Sequence, residues 1–288
     1  VKLIGGLGNQ MFQYAVGRHL AMKNKNTLKL DISGFRDYKL RNYDLGHFNI
    51  RENIATSKDL SGVIFPSDRF IHKIGKYLKI KTANVQQIRY IKEQKSDFHP
   101  EILTLRDNIY LDGYWQSEKY FSDIQDVIRK EFTLKNKPDP INESYLGEII
   151  DCESVSVHIR RGDYVSNPTT NQVHGFLGLE YYQRAMNAML EKIGNPHFFV
   201  FSDDPEWAER NIKANAPITY VKHNGTKSYE DLRLMSTCKH HIIANSSFSW
   251  WGAWLSPDKE KFVIAPKRWF KSDRLNARDL IPDSWHKI

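Results

Sequence analysis

From residue 154 to residue 265 the chain alternates short apolar runs with segments of helical spacing, and few folds accept that pattern. The runs at 154–158, 197–201, 218–221, 241–244 and 262–265 have strand length. Between the first two, residues 180–193 place Tyr182, Ala185, Met186, Met189 and Ile193 on one helical face. Strands alternating with helices predict a parallel sheet covered on its faces. Open sheets of that kind bind ligands beyond the carboxyl ends of their strands. The chain opens in the same style, with a strand at 2–4, a Gly5-Gly6-Leu7-Gly8-Asn9 turn and a helix carrying Phe12, Ala15, Val16 and Leu20. A second strand at 28–30 ends at Asp31, which completes the first unit of a Rossmann-like domain.

The middle is harder to read. Residues 53–100 are polar and basic, with a short helical piece at 70–78; a strand follows at 109–111 and a helical pattern at 118–130. Asn136-Lys137-Pro138-Asp139-Pro140 is the best linker candidate, which divides the chain into domains 1–138 and 139–288.

Composition narrows the function classes. The 288 residues carry a net charge of +8, which suits a polyanionic partner or a phosphorylated small substrate. The basic residues are scattered rather than clustered, which argues against nucleic acid. A basic surface of this kind serves either peripheral contact with a membrane or plain solvation. Cys152 and Cys238 form neither a disulfide framework nor a zinc pattern, and two reduced thiols are expected. No run approaches 18 apolar residues and no signal peptide is visible. A cytoplasmic location follows, provided any missing N-terminal segment is short.

The densest chemistry lies in His158-Ile159-Arg160-Arg161-Gly162-Asp163-Tyr164, directly after a strand. Two adjacent arginines at a strand end suit a phosphate or pyrophosphate, although a surface salt-bridge pair reads almost as well. Asn245-Ser246-Ser247-Phe248 also follows a strand and opens a helix. Its hydroxyls and backbone N–H groups make an anion site, or an ordinary N-cap. Asp203 and Asp204 stand at another strand end, as ligand acceptors or helix caps, with Pro205 suited to the first helical turn. The glycine loop fits a close ligand approach or a plain tight turn, with Asn9 as cap or substrate contact. It is no dinucleotide fingerprint, because Met11 stands where a third glycine belongs. Aspartates separated by one residue, a common metal-binding pattern in nucleotide-sugar enzymes, are absent. The adjacent His240-His241 is a poor geometry for one metal and reads as a core or strand-end pair.

Taken together, these blocks resemble one family. Gly5-Gly6-Leu7-Gly8-Asn9-Gln10-Met11-Phe12-Gln13-Tyr14, then Gly113-Tyr114-Trp115-Gln116 with Tyr120-Phe121, then the 158–164 heptad, Phe201-Ser202-Asp203-Asp204 and the 245–251 block occur in order. The pattern is similar to the bacterial α-1,2-fucosyltransferases of glycosyltransferase family 11. The resemblance implies an α/β, GT-B-like architecture of two Rossmann-like domains facing a cleft, the N-terminal one on the acceptor side and the C-terminal one holding GDP-fucose. It implies inverting transfer of L-fucose from GDP-β-L-fucose to the 2-hydroxyl of a terminal galactose in a glycan or O-antigen-type oligosaccharide, without a metal or other cofactor. An inactive sugar-nucleotide-binding module is the alternative.

The residue roles follow from that resemblance. Arg160 would meet the charge growing on the departing GDP, helped by Ser246, Ser247 and the N–H groups beyond them at Phe248. His158 and Asp203 would position the nucleoside, Gly8 and Asn9 would approach the donor, and Arg161 would lock the loop. Asp163 is the candidate base for the acceptor hydroxyl, or else a partner for Arg161. His174, Glu180 and Asn9 are alternatives, and a strongly dissociative reaction needs little base.

Overall fold

The computed structural model describes residues 1–36, 41–63, 87–106, 108–162, 165, 168–173, 175–272 and 275–288. The expected helical piece at 70–78 lies outside them. The chain forms two compact units, Val1–Phe132 and Thr133–Ile288. Their boundary falls just before the proline-rich segment. That segment is less of a linker than its composition suggests, because Asp139 caps and Pro140 begins a helix, α4 (Pro140–Ile150). The Asp139 carboxylate accepts from the Asn142 N–H at 2.9 Å, and a proline at the first helical position gives up no hydrogen bond.

In the first unit, helix α1 (Leu7–Lys23) begins inside the glycine loop, with Gly6 as its N-cap. Gly8 and Asn9 therefore belong to the first helical turn, and Asn9 is not the cap. Parallel bridges join Lys2 to Asp31 and Leu30 to Ile54, and Lys2 N–H reaches Leu111 O at 3.0 Å. Strands β1 (Arg89–Lys92) and β2 (Ile109–Asp112) pair in parallel, Lys92 opposite Asp112. The result is a parallel α/β layer. A short helix, α2 (Ser57–Leu60), sits behind a Thr56 capping box. The helix expected at 118–130 is confined to α3 (Gln125–Glu131), preceded by two 3-10 turns. Phe121 leaves the helical region at φ −143° while its ring and that of Tyr120 are buried, so core packing overrides the local pattern.

The second unit holds a six-stranded sheet in the order β5-β4-β3-β6-β7-β8, every recorded pairing parallel. The strands are β3 (Glu153–Ile159), β4 (Pro196–Ser202), β5 (Ile218–Val221), β6 (His240–Ile242), β7 (Val263–Ala265) and β8 (His286–Lys287). Chain order reverses between β3 and β6, which makes that boundary the switch point of a doubly wound sheet. Intervening helices are α5 (Pro168–Val173), α6 (Leu179–Lys192), α7 (Pro205–Asn211), α8 (Ser228–Thr237) and α9 (Ser247–Leu255).

Val155, Val157, Ile159, Phe198, Val200, Ile242 and Ile264 pack with Tyr182, Ala185, Met186 and Met189 of α6 in one core. Burying each large side chain contributes about 1.5–3 kcal/mol, several times a surface i,i+4 pair, so this stripe holds α6 to the sheet. Ile193, expected in the stripe, is only half-buried because the helix has already ended. Trp250, Trp251 and Trp254 are buried, and the free thiol of Cys238 is buried as well. His241 donates or accepts with the Ser156 hydroxyl at 2.8 Å, while His240 Nδ1 accepts from Phe262 N–H, so both are strand histidines of the core.

A polar network sits beside α4 and α8. Asn142 and Asn224 pair through their amides, and Asn224 Nδ2 donates to Asp231 at 2.8 Å. Burial pushes the Asp231 carboxyl up to about 6, against the lowering effect of the Asn224 bond. A raised folded-state value means that stability is lost as pH rises from about 4 to about 6, and the cost is fully present at neutral pH. Asp231→Asn keeps an acceptor for Asn224 and removes the charge. Denaturation at pH 7 should show it more stable by about 1–2 kcal/mol, with the gain vanishing near pH 4. An equal effect at both pH values would mean that the charge is not the cause.

Candidate functional site

The site of the second unit is built at the carboxyl ends of β3, β4 and β6. The register His158↔Phe201 and Ile159↔Ser202 brings the Arg160-Arg161 pair and the Asp203-Asp204 pair out of the sheet side by side. Arg160 Nη1 lies 2.7 Å from Asp203 Oδ2, and the Arg161 N–H donates to Asp203 Oδ1 at 2.8 Å. One carboxylate thus grips both arginine positions. Gly162 leaves room for this carboxylate, since a Cβ there would stand 2.5 Å from Asp203 Oδ2 and force it to shift.

Arg161 faces away from this grip. Its Nε donates to Asp204 Oδ2 at 3.1 Å, and its guanidinium lies 3.8 Å from the centre of the Trp207 ring. Asp204 is also the N-cap of α7, accepting from the Trp207 N–H, with Pro205 at the first turn as the sequence predicts. Arg161 therefore locks the β3 exit to the start of α7, and Arg160 is the arginine that remains at the strand end.

His158 is buried, and Nδ1 has no hydrogen-bond partner among the described residues. Burial lowers its pKa to about 4, with the Asp203 charge opposing and Arg160 assisting. The imidazole is neutral at physiological pH. Its ring centre is 5.5 Å from that of Phe248, which brings the N-terminus of α9 beside the end of β3. Ser246 caps that helix by accepting from the Phe248 N–H, so the capping reading holds. Ser247 and Phe248, both half-buried, form its first turn. The helix N-terminus adds partial positive charge to that of Arg160.

Sequence reasoning missed Tyr182. Read as core, its hydroxyl also accepts the Arg160 backbone N–H, and burial raises its pKa, so it stays a neutral phenol that fixes the Arg160 main chain. Of the other expected residues, Glu180 is exposed in the first turn of α6, and Gly8 and Asn9 belong to the first unit. Asn9 Oδ1 accepts from Gln116 Nε2 at 2.8 Å. Asp163 and His174 lie outside the described residues. Among the described residues, no three His, Cys, Asp or Glu side chains converge as metal ligands, and no helix is long and apolar enough to cross a membrane.

A neutral histidine, a gripped arginine and a helix N-terminus gather at the switch point. The parallel α/β architecture is of the GT-B class. The model of Glycosyl transferase family 11 matches residues 66–288. An alpha-1,2-colitosyltransferase of Escherichia coli is 37% identical over 293 residues, covering 100% of this chain and 97% of that protein. The human galactoside alpha-(1,2)-fucosyltransferase 1 is 29% identical over 167 residues, 54% of this chain and 46% of that protein. The crystal structure of fucosyltransferase NodZ from Bradyrhizobium shares the fold, with a TM-score of 0.50 at 14% identity over 89% of this chain and 91% of that one. The chain belongs to glycosyltransferase family 11.

Proposed function

We propose that the protein transfers L-fucose from GDP-β-L-fucose to the 2-hydroxyl of a terminal galactose, with inversion to an α linkage and without a metal. The observation that carries the reading is Arg160, a cation held by Asp203 at the end of β3, two residues beyond the His158 ring that meets Phe248 in the first turn of α9. Breaking the sugar–phosphate bond leaves an oxocarbenium-like sugar and a growing negative charge on the departing diphosphate. Fixed donors that meet this charge lower the barrier, because they need no reorganisation at that moment. Arg160 and Ser247 are those donors in this reading, since the Phe248 N–H is spent on the Ser246 cap. Asp203, His158 and Ser246 position the nucleotide in this reading, and Gly8 and Asn9 are assigned to donor binding as well. Asp163 is assigned the acceptor's proton. A cytoplasmic enzyme with this basic surface would also suit peripheral contact with lipid-linked acceptors.

The full-length relative named for colitosyl transfer favours a second donor, GDP-colitose, whose sugar lacks the 3-hydroxyl of fucose. Turnover of both GDP-sugars on one galactoside separates the two. A site that hydrogen-bonds the 3-hydroxyl should prefer GDP-fucose strongly, since a polar group left unpaired discriminates far better than a merely filled pocket. A preference for GDP-colitose would reassign the donor and leave the reaction class intact.

A further inference from the structure

The first unit contains a loop that departs from local rules in three ways. Residues 113–116 follow β2 directly, and Glu93 follows β1, its N–H donating to Asp112 O. Both therefore stand at carboxyl ends of adjacent parallel strands, the edge where such sheets hold ligands. Trp115 has φ +56°, a left-handed conformation that bulky side chains rarely adopt. Its indole is buried, and Nε1 has no hydrogen-bond partner among the described residues. The Glu93 carboxylate is spent on the loop's backbone, accepting from Tyr114 N–H at 2.6 Å and from Trp115 N–H at 2.9 Å.

Further contacts make the loop rigid. A Cβ at Gly113 would run into the Cβ of Glu93, so only glycine fits. Gln13 Nε2 donates to Gly113 O at 3.1 Å, while Gln13 Oε1 accepts from Ile4 N–H at 2.9 Å. Gln116 donates to Asn9 on α1. The Trp115 ring stands edge-on to Tyr120, with centres 5.7 Å apart. Burial raises the Glu93 pKa and its two amide donors lower it, and both of its oxygens already face donors, so it is a clamp rather than a proton acceptor. All of this order presents one large exposed ring, Tyr114, at 44% exposure. Strain of order 1–3 kcal/mol, an unmet indole N–H and a half-buried carboxylate are costly for displaying a surface tyrosine. Such departures concentrate where a site is held ready.

We propose that Tyr114 is a platform for the acceptor sugar, its ring lying against the C–H face of a terminal galactose, and that Glu93 is a positioning residue that sets it. The proposal rests on the transferase reading above and adds to it where the acceptor binds. A preset platform binds without the entropy cost of ordering a loop.

The test compares wild type, Tyr114→Ala, Tyr114→Phe and Glu93→Gln. Saturation-transfer NMR with lactose reports acceptor binding without turnover, and kinetics on GDP-fucose and lactose report each KM. Tyr114→Ala should lose the lactose signal and raise the lactose KM about tenfold or more, with the GDP-fucose KM unchanged. Tyr114→Phe should restore both, since the ring is what binds. Glu93→Gln, which turns an amide N–H toward a backbone N–H, should raise the lactose KM while thermal unfolding stays near wild type. A Tyr114→Ala protein that keeps the lactose signal and KM would overturn the platform, while wild-type turnover would leave the transferase reading standing. Wild type that binds lactose through Tyr114 yet fails to use GDP-fucose would support the platform and overturn that donor.

Discussion

Arg160→Ala is expected to lower kcat by about 10²–10³, the loss typical of removing one fixed donor from a developing oxyanion. The side chain is the one that Asp203 holds at the end of β3, while Arg161 is committed to Asp204 and Trp207. Arg160→Lys should recover little, because an ammonium cannot reproduce the planar fork that meets a carboxylate and a phosphate. Arg161→Ala should act differently, loosening the β3 exit and raising the donor KM more than it lowers kcat. Steady-state kinetics with calorimetric GDP binding separate the two. Equal kcat losses in both variants would mean that the arginines do not divide the work in this way.

The largest stability effect is expected at Glu131. Its carboxylate, on α3, accepts from Arg18 Nε at 3.0 Å and from the Tyr14 hydroxyl at 2.6 Å, and Arg18 Nη2 lies 2.9 Å away. Tyr14 and Arg18 sit one turn apart on α1, so this one acid ties the first helix of the unit to its last. All three side chains are buried. Removing one partner of a buried pair leaves the other charge uncompensated, which costs about 3–5 kcal/mol. Glu131→Ala should therefore unfold more than about 10 °C below wild type by calorimetry. Glu131→Gln keeps an acceptor for Tyr14 and should fall between the two. An unshifted transition in Glu131→Ala would show that Arg18 finds water instead.

The local features of this chain were legible and the long-range ones were not. The α6 stripe, the Asp204-Pro205 helix start and the Ser246 cap each depend on residues within a few positions, so periodicity and capping chemistry reveal them. The parallel sheet follows from alternation. The grip of Asp203 on Arg160 depends on the β3–β4 register, which no spacing along the chain encodes. Strand β1 hides because Arg89 and Lys92 are exposed at its ends, and the half-buried Tyr90 and Ile91 are too few to mark a period. Helix α4 hides because two prolines in a polar run read as a break, although Pro140 stands where a helix tolerates proline. Glu93 carries no signal at all: a single acid in a polar stretch, it matters only through two backbone amides some twenty residues away.

The central claim is sugar transfer from a guanosine diphosphate donor by fixed protein charge alone. Release of GDP from GDP-fucose by the wild-type protein, with lactose and excess chelator, followed by NMR of the product linkage, tests it most directly. The account predicts acceptor-dependent release that survives chelation and a product with an α-fucosyl group on the galactose 2-hydroxyl. Release that stops with the chelator and returns with a divalent ion would contradict it, as would a β linkage.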